Sequence, residues 1–280
     1  MIRSALFVPA HRDGWVEKAV RAGADAVILD LEDAVPASEK ENARALVGTS
    51  VRTAAAAGVA AWVRPASVDD LGACVVDGLS ALVLPKIETP AQVTAYAEAL
   101  EDRSTGLIVT LETALGYLNA AELARASRVV GLFAATGKGG DVQRELGYRP
   151  TPSGLETLYV RSRAVLAARA ARLPHILTGP WQQLDDLAGL RAQAVFNRDL
   201  GFTGEALVHP AGVPVVNEAY TLDAAELAYH VGVVSAYEEA QGEGIGAVDY
   251  RGEHIDAAHY RTSLAVVKKA RRDGRLEGAS

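Results

Sequence analysis

A strand-like apolar run followed by a helix-like stretch recurs eight times in this chain. The runs are rich in Val, Ile, Leu and Ala, which is typical of strands covered on both faces. Eight such units predict an α/β fold, a closed (β/α)₈ TIM barrel. An open doubly wound sheet would have fewer strands and a Gly-rich turn after the first one, which is absent here. The predicted strands are 5–10, 26–31, 60–65, 81–86, 107–112, 129–135, 175–178 and 206–210.

Capping patterns mark the starts of the helices. Asp13 is predicted to cap the first helix, which Gly23 ends. Ser38 and Glu41 have the spacing of a capping box, and an Ala-rich helix is predicted to continue from there to about Ala57. Further helical patterns cover 155–171, 184–200 and 213–219.

The pattern changes from Asp223 onward. A helix over 224–241, a glycine-rich joint over 242–246, a hairpin over 247–252 and a last helix over 255–272 are predicted. We therefore divide the chain into a barrel domain, 1–221, and a C-terminal helical extension, 222–280. A helical appendage on a glycine-rich joint is expected to be a lid or a contact to a neighbouring subunit.

Composition excludes several classes of function. With 280 residues, 49% of them hydrophobic, the chain suits one large barrel. Its net charge of −7 and the lack of a long Lys/Arg block make nucleic acid and anionic membranes unexpected partners. The single cysteine, Cys74, excludes an internal disulfide and a Cys-based zinc site. No apolar run reaches the roughly 18 residues of a membrane span, and no leader pattern precedes the first strand, so we expect a cytoplasmic protein.

Polar residues gather where the predicted strands end. In a (β/α)₈ barrel the loops at that end converge on one mouth, where active sites lie. Clustering so many charges without a function would cost stability through desolvation. The sequence therefore predicts an active site at the mouth. The residues are His11, Arg12, Asp30, Glu32, Asp33, Arg64, Lys86, Glu88, Glu112, Lys138, Asp141 and His209.

Two of these acids, Glu112 and Asp141, are predicted to bind Mg²⁺, which prefers oxygen ligands. Two carboxylates leave most of an octahedral shell to water and substrate, as in a catalytic site. The alternative is that Glu112 caps a helix beginning near Thr113 and that Asp141 starts a surface helix.

Basic residues of the mouth are predicted to hold the substrate. Arg64 suits a carboxylate or a developing enolate oxygen, although a salt bridge to Glu32 or Asp33 is equally compatible with the sequence. Lys86 is expected to orient Glu112 or Glu32, and a Schiff-base role is less favoured. His11 and Lys138, at the same edge, are further candidates for contacting the substrate.

Several segments resemble the HpcH/HpaI aldolase family, in its citrate lyase β-subunit-like branch. The resemblance runs nearly from end to end, and the block Leu-Asp-Leu-Glu-Asp-Ala-Val is its most specific part. The matching segments are 3–10, 23–35, 84–88, 111–119, 141–147, 201–204 and 208–211.

This resemblance implies a (β/α)₈ barrel, usually a homotrimer, with Mg²⁺ held by Glu112 and Asp141. It implies cleavage or formation of a carbon–carbon bond in a β-hydroxyacyl thioester such as malyl-, citramalyl- or citryl-CoA. Arg64 matches the arginine that binds the substrate oxygens, and Glu32 and Lys86 match supporting positions. Asp256 matches the aspartate of a C-terminal lid that reaches a neighbouring subunit's site in some members.

Three other functions remain open at this point. Some members of the family hydrolyse the thioester, so the chain could be a thioesterase. It could also be an aldolase for a free 2-oxo acid, without an acyl carrier. The third alternative is a non-catalytic subunit with a degenerate site, and the retained acids argue against it.

Overall fold

The computed structural model describes residues 1–101 and 103–276, and within them eight parallel strands form a closed barrel. Neighbouring strands follow one another in the chain, and β8 pairs with β1 to close the sheet. The predicted (β/α)₈ fold is therefore confirmed. The strands are β1 (Ser4–Pro9), β2 (Ala26–Asp30), β3 (Ala60–Arg64), β4 (Leu79–Leu84), β5 (Gly106–Leu111), β6 (Val129–Ala135), β7 (His175–Gly179) and β8 (Gly204–Leu207).

Both faces of the barrel strands are buried, which explains their continuous apolar sequence. Alternate side chains, among them Ile28, Trp62, Ile108, Phe133 and Leu177, pack together inside the barrel. The residues between them face the surrounding helices and form the larger apolar core. This two-residue period decides which side chain at each strand end reaches the mouth.

Helices follow the strands around the barrel. α1 to α10 are Trp15–Arg21, Lys40–Ala56, Leu71–Cys74, Pro90–Ala99, Ala114–Leu118, Ala120–Leu123, Asp141–Leu146, Leu158–Ala170, Leu187–Leu200 and Gly212–Ala219. Among the described residues, no helix combines the length and the apolar composition that a membrane span requires.

Two predicted helix caps are wrong. Gly14, in the left-handed conformation with φ 73°, occupies the cap position of α1 in place of Asp13. A short 3₁₀ turn, Ala37–Glu39, precedes α2 and places Glu39 at its cap without a side-chain bond. The box expected of Ser38 and Glu41 does not form, because Ser38 lies inside that turn.

Contacts divide the chain into two compact units, Met1–Tyr220 and a unit that begins at Thr221. The second unit contains α11 (Ala224–Gly242), an antiparallel hairpin of β9 (Ala247–Tyr250) and β10 (Glu253–Asp256), and α12 (Ala257–Arg272). The hairpin is longer than predicted, and the last helix begins two residues later. The reason is that Ile255 belongs to β10, where it is 1% exposed against α11 residues Val233 and Tyr237.

A buried acid lies between the barrel and its helices. Glu205 on β8 is fully buried, and the side-chain amide of Asn197 on α9 donates to it at 2.8 Å. Arg161 on α8 donates to the amide oxygen of Asn197 at 2.6 Å. Burial raises the pKa of Glu205 to about 7, since this effect outweighs the hydrogen bonds that favour the charged form.

Replacing this acid should change how stability depends on pH. Above its ordinary value of 4.5 the unfolded chain releases the Glu205 proton, whereas the folded chain keeps it up to about pH 7. The Glu205 contribution to the free energy of unfolding is therefore complete below pH 4.5 and is lost as the pH rises to about 7. We expect Glu205→Gln to remove this fall in the free energy of unfolding. Near pH 8 the free energy of unfolding of the variant should exceed that of the wild type by up to about 3 kcal/mol.

Urea denaturation at several pH values checks this prediction. Glu218→Gln is the control, because Glu218 is exposed and pairs with Arg191. If the free energy of unfolding varies with pH in parallel for the wild type and Glu205→Gln, the raised pKa of Glu205 is contradicted.

Candidate active site

A buried ion pair joins the ends of β2 and β3. Asp30 is fully buried, and it accepts hydrogen bonds from Nε and Nη2 of Arg64 at 2.7 and 2.6 Å. The backbone N–H groups of Glu32 and Ala34 also donate to Asp30. The guanidinium carbon lies 4.9 Å from the centre of the Phe7 ring. Burial alone would lower the pKa of Arg64, but the hydrogen bonds and the charge of Asp30 raise it by more than burial lowers it. Arg64 therefore stays cationic.

Glu32 connects this pair to β4. The ammonium of Lys86 donates to Oε1 of Glu32 at 2.6 Å, and Nη1 of Arg64 lies 3.1 Å from Oε2. The second contact is an ion pair without hydrogen-bond geometry, because Oε2 has no hydrogen-bond partner among the described residues. The pKa of Lys86 is raised, chiefly by its hydrogen bond to Glu32. Lys86 remains half exposed, so its amine stays within reach of a ligand.

Glu112 follows β5 and is 8% exposed. The backbone N–H of Lys86 donates to its Oε1 at 2.5 Å, and Lys86 adopts a positive φ of 53°. Thr113 caps α5 by accepting from the N–H of Gly116 at 3.0 Å. The alternative role of Glu112 as that helix cap is therefore wrong.

Burial raises the pKa of Glu112 to about 7. The bond from the Lys86 N–H lowers it, the charge of Glu32 raises it, and Arg64 and Asp141 make smaller opposite contributions. Oε2 of Glu112 has no hydrogen bond to any described residue. The folded protein thus keeps a carboxyl here whose negative charge is poorly compensated.

Asp141 is the first residue of α7, so it begins a helix, as the alternative to metal binding predicted. Its side chain is 22% exposed, and Oδ1 pairs with Arg144 at 2.5 Å. Arg144 is itself 76% exposed. The charge of Asp141 raises the pKa of both Glu112 and Lys86, which places all three in one electrostatic neighbourhood.

The donor set fits a hard divalent cation. Glu112 and Asp141 each offer one carboxylate oxygen that no described residue engages, and oxygen ligands are those that Mg²⁺ prefers. A cation would compensate the buried charge of Glu112. No group of three or more metal-binding side chains occurs among residues 1–101 and 103–276, so water and substrate would complete the shell.

The other predicted residues each have surroundings of their own. Nδ1 of His11, after β1, is buried without a partner in the described chain. Lys138 is exposed in the loop after β6 and lines a separate cleft. Asp256 lies in the second unit, where it caps α12 by accepting from the N–H groups of Ala258 and His259. Its carboxylate also lies 2.7 Å from the His259 ring, and this hydrogen bond holds the pKa of Asp256 at about 2.

Sequence reasoning missed the role of Asp30 as the anchor of Arg64. The signal was available in the two-residue period of the strands. Ile28 and Trp62 point into the barrel, so Asp30 and Arg64, two positions later, point the same way. The strand register then pairs Asp30 with Arg64 directly.

The fold and this cluster define a (β/α)₈ barrel with four acids and two bases at its mouth. A model of the HpcH/HpaI aldolase/citrate lyase family matches residues 3–210. The chain therefore belongs to the HpcH/HpaI aldolase/citrate lyase family, which confirms the resemblance seen in the sequence.

Relatives with different names match over most of their length. The (3S)-malyl-CoA thioesterase of Cereibacter sphaeroides ATCC 17025 is 34% identical over 96% of this chain and 94% of its own. A citrate lyase subunit beta-like protein of Deinococcus radiodurans is 35% identical over 91% of this chain and 93% of its own. Among solved structures, the protein CitE of Mycobacterium tuberculosis in complex with magnesium, acetoacetate and coenzyme A has a TM-score of 0.75. It is 30% identical and covers 95% of this chain and 98% of its own.

Removing the Arg64 anchor should destabilise the protein strongly. Asp30→Asn leaves a buried guanidinium without its main counter-charge, and we expect a loss of about 3 kcal/mol in the free energy of unfolding. Asp25→Asn is the matched control, because the guanidinium of Arg3 also donates twice to Asp25, in a pair with side chains 32% and 18% exposed. We expect that variant to lose about 1 kcal/mol. Equal losses of unfolding free energy for the two variants, measured by urea denaturation, would contradict the importance of burial for the pair of Asp30 and Arg64.

Proposed function

We propose that the protein is a Mg²⁺-dependent carbon–carbon lyase that acts on a β-hydroxyacyl thioester such as malyl-, citramalyl- or citryl-CoA. The observation that carries the proposal is the pair of uncommitted carboxylate oxygens on Glu112 and Asp141, beside the cations Arg64 and Lys86. A bound Mg²⁺ supplies Lewis acidity and orients the substrate oxygens.

In the cleavage direction, the bond between the hydroxyl-bearing carbon and the carbon next to the thioester breaks. The hydroxyl gives up its proton and becomes the oxo group of the released acid. The bonding electrons pass to the thioester as an enolate, whose carbon then takes a proton. Charge therefore grows on the enolate oxygen, and catalysis requires fixed positive groups near it.

Arg64 is suited to stabilise that oxygen. Asp30 engages two of its N–H groups and Glu32 faces a third nitrogen, whereas a guanidinium carries five N–H donors. Asp30 and Phe7 hold the plane of the guanidinium, so its remaining donors are pre-organised. Lys86 contributes a second, half-exposed cation, and its backbone N–H fixes Glu112.

The role of Asp256 is proposed from the resemblance. While it makes its capping contacts, Asp256 has a pKa of about 2 and is charged at neutral pH, so it can accept a proton in the direction of bond formation. We propose that Asp256 exchanges a proton with the enolate carbon or activates water after leaving its capping contacts. We also propose a homotrimer in which this aspartate serves a neighbouring subunit.

A thioesterase on the same scaffold is the second candidate. It is favoured by the similarity of the chain, at 34% identity, to a protein named (3S)-malyl-CoA thioesterase. Hydrolysis needs a water directed at the thioester carbonyl, and the same acids could position it. The two reactions differ in their products, since a lyase releases an oxo acid and a thioesterase releases free thiol.

The test is an assay of the purified protein on malyl-, citramalyl- and citryl-CoA with Mg²⁺, in which oxo acid and free thiol are measured separately. We expect oxo acid without thiol from at least one substrate. Glu112→Gln should lower the rate at least about 100-fold, because it removes the proposed metal ligand. Asp256→Asn keeps a capping oxygen but no charge, and it should lower turnover without changing the folded state.

Thiol without oxo acid would replace the lyase with the thioesterase. The same assay on free hydroxy acids derived from pyruvate or glyoxylate tests the 2-oxo-acid aldolase, which cleavage of these acids without cleavage of the three thioesters would favour. Inactivity on every substrate, both with and without Mg²⁺, would support a non-catalytic subunit.

A further inference from the structure

Asp141 begins a short helix that follows a glycine-rich loop. The helix α7 has six residues, and Gly140 precedes it. The N–H of Gly140 donates to the carbonyl of Gly137 at 3.2 Å, and the N–H of Gly139 donates to the side chain of Gln143 on α7 at 2.7 Å. These hydrogen bonds tie the loop to itself and to α7. They do not set where α7 lies on the barrel, so other contacts must place Asp141.

Val142 and Glu145 attach α7 to the rest of the barrel unit. Val142 is 1% exposed and packs in the apolar core. Glu145 is exposed, and its Oε1 accepts a hydrogen bond from the backbone N–H of Ala114, the first residue of α5, at 2.8 Å. An apolar contact has little directional preference, whereas a hydrogen bond has a preferred angle. Glu145 is therefore the contact that sets the orientation of α7.

The hydrogen bond of Glu145 also orients Asp141. The two acids are four residues apart, so they lie on the same face of α7. Ala114 is only two residues after Glu112. The bond from Ala114 therefore turns the face of α7 that carries Asp141 toward the end of β5. In agreement with this orientation, the charge of Asp141 raises the pKa of Glu112.

The helix α5 is a fixed support for this bond. Gly116 on α5 lies so close to the loop after β4 that an added Cβ would be 2.8 Å from the carbonyl oxygen of Ile87. At the end of α5, the side-chain amide of Asn119 donates to the carbonyl of Glu88 at 2.8 Å. The same loop after β4 also donates the backbone hydrogen bond that holds Glu112. Both proposed metal ligands are thus positioned from one segment of the structure.

We propose that Glu145 is a positioning residue of the metal site, whose hydrogen bond from Ala114 holds Asp141 at the separation from Glu112 that one Mg²⁺ requires. Glu145 acts on the ion through Asp141 and does not touch it. This inference rests on the Mg²⁺ site of the proposed function and extends that site to an exposed residue. Replacing an exposed helical glutamate without such a role would have little effect.

Titration with Mn²⁺, followed by the electron paramagnetic resonance signal of the free ion, tests the proposal without a substrate. Glu145→Ala removes the acceptor, and we expect it to weaken Kd at least about threefold, within the contribution of one ordinary hydrogen bond. Glu145→Gln keeps an acceptor oxygen but loses the charge, so its Kd should change less than about threefold. Glu98→Ala, the same charge change at an exposed position of α4, is the control and should leave Kd unchanged.

A double-mutant cycle shows whether Glu145 acts through Asp141. In an Asp141→Ala background, Glu145→Ala should weaken Mn²⁺ binding no further, because the ligand that Glu145 positions is gone. Circular dichroism and urea denaturation establish that each variant is folded under the conditions of the titration.

Three results would overturn the proposal while the wild type binds one Mn²⁺, and these leave the metal site itself intact. They are a smaller effect of Glu145→Ala than about threefold, an equal loss with Glu145→Gln, and a full further loss in the Asp141→Ala background. The second result would assign the effect to charge, and the third would show that Glu145 acts elsewhere. If the wild type binds no Mn²⁺, the metal site of the proposed function fails, and this inference fails with it.

Discussion

The buried pair of Asp30 and Arg64 is the interaction on which the rest of the candidate site depends. An uncompensated guanidinium at that depth would be costly, and so would the carboxylate alone. Together they fix one cation at the mouth, and that cation faces Glu32. Glu32 then binds Lys86, whose backbone N–H in turn holds Glu112. A chain of charge-assisted contacts therefore runs from β2 across β3 and β4 to β5.

Barrel closure makes this chain of contacts achievable. Consecutive parallel strands bring their ends to one rim, so residues far apart in sequence become neighbours without long loops. The same closure buries the acids and raises the pKa of Glu112 to about 7. A site of this kind stores unfavourable electrostatic free energy that a bound cation would release.

Much of this arrangement follows from the sequence, and the remainder depends on contacts between segments. Strand number, order and the location of the acids can be read from apolar periodicity, because it reports burial. The partner of Arg64 required the strand register, which no single run contains. The positive φ of Lys86 and the Gly14 cap reflect local geometry imposed by the packed barrel. The paths of the loops after β6 and β7 are likewise specified by no periodic pattern.

Direct metal binding tests the central claim that Glu112 and Asp141 form one cation site. Titration with Mn²⁺, followed by the electron paramagnetic resonance signal of the free ion, measures Kd without any substrate. We predict one site in the wild type, competed by Mg²⁺ and weakened at least about tenfold by Glu112→Gln and by Asp141→Asn. Glu88→Gln, an acid after β4 outside the pair, should bind as the wild type does. Equal affinity in all four proteins, or no binding by the wild type, would contradict the account.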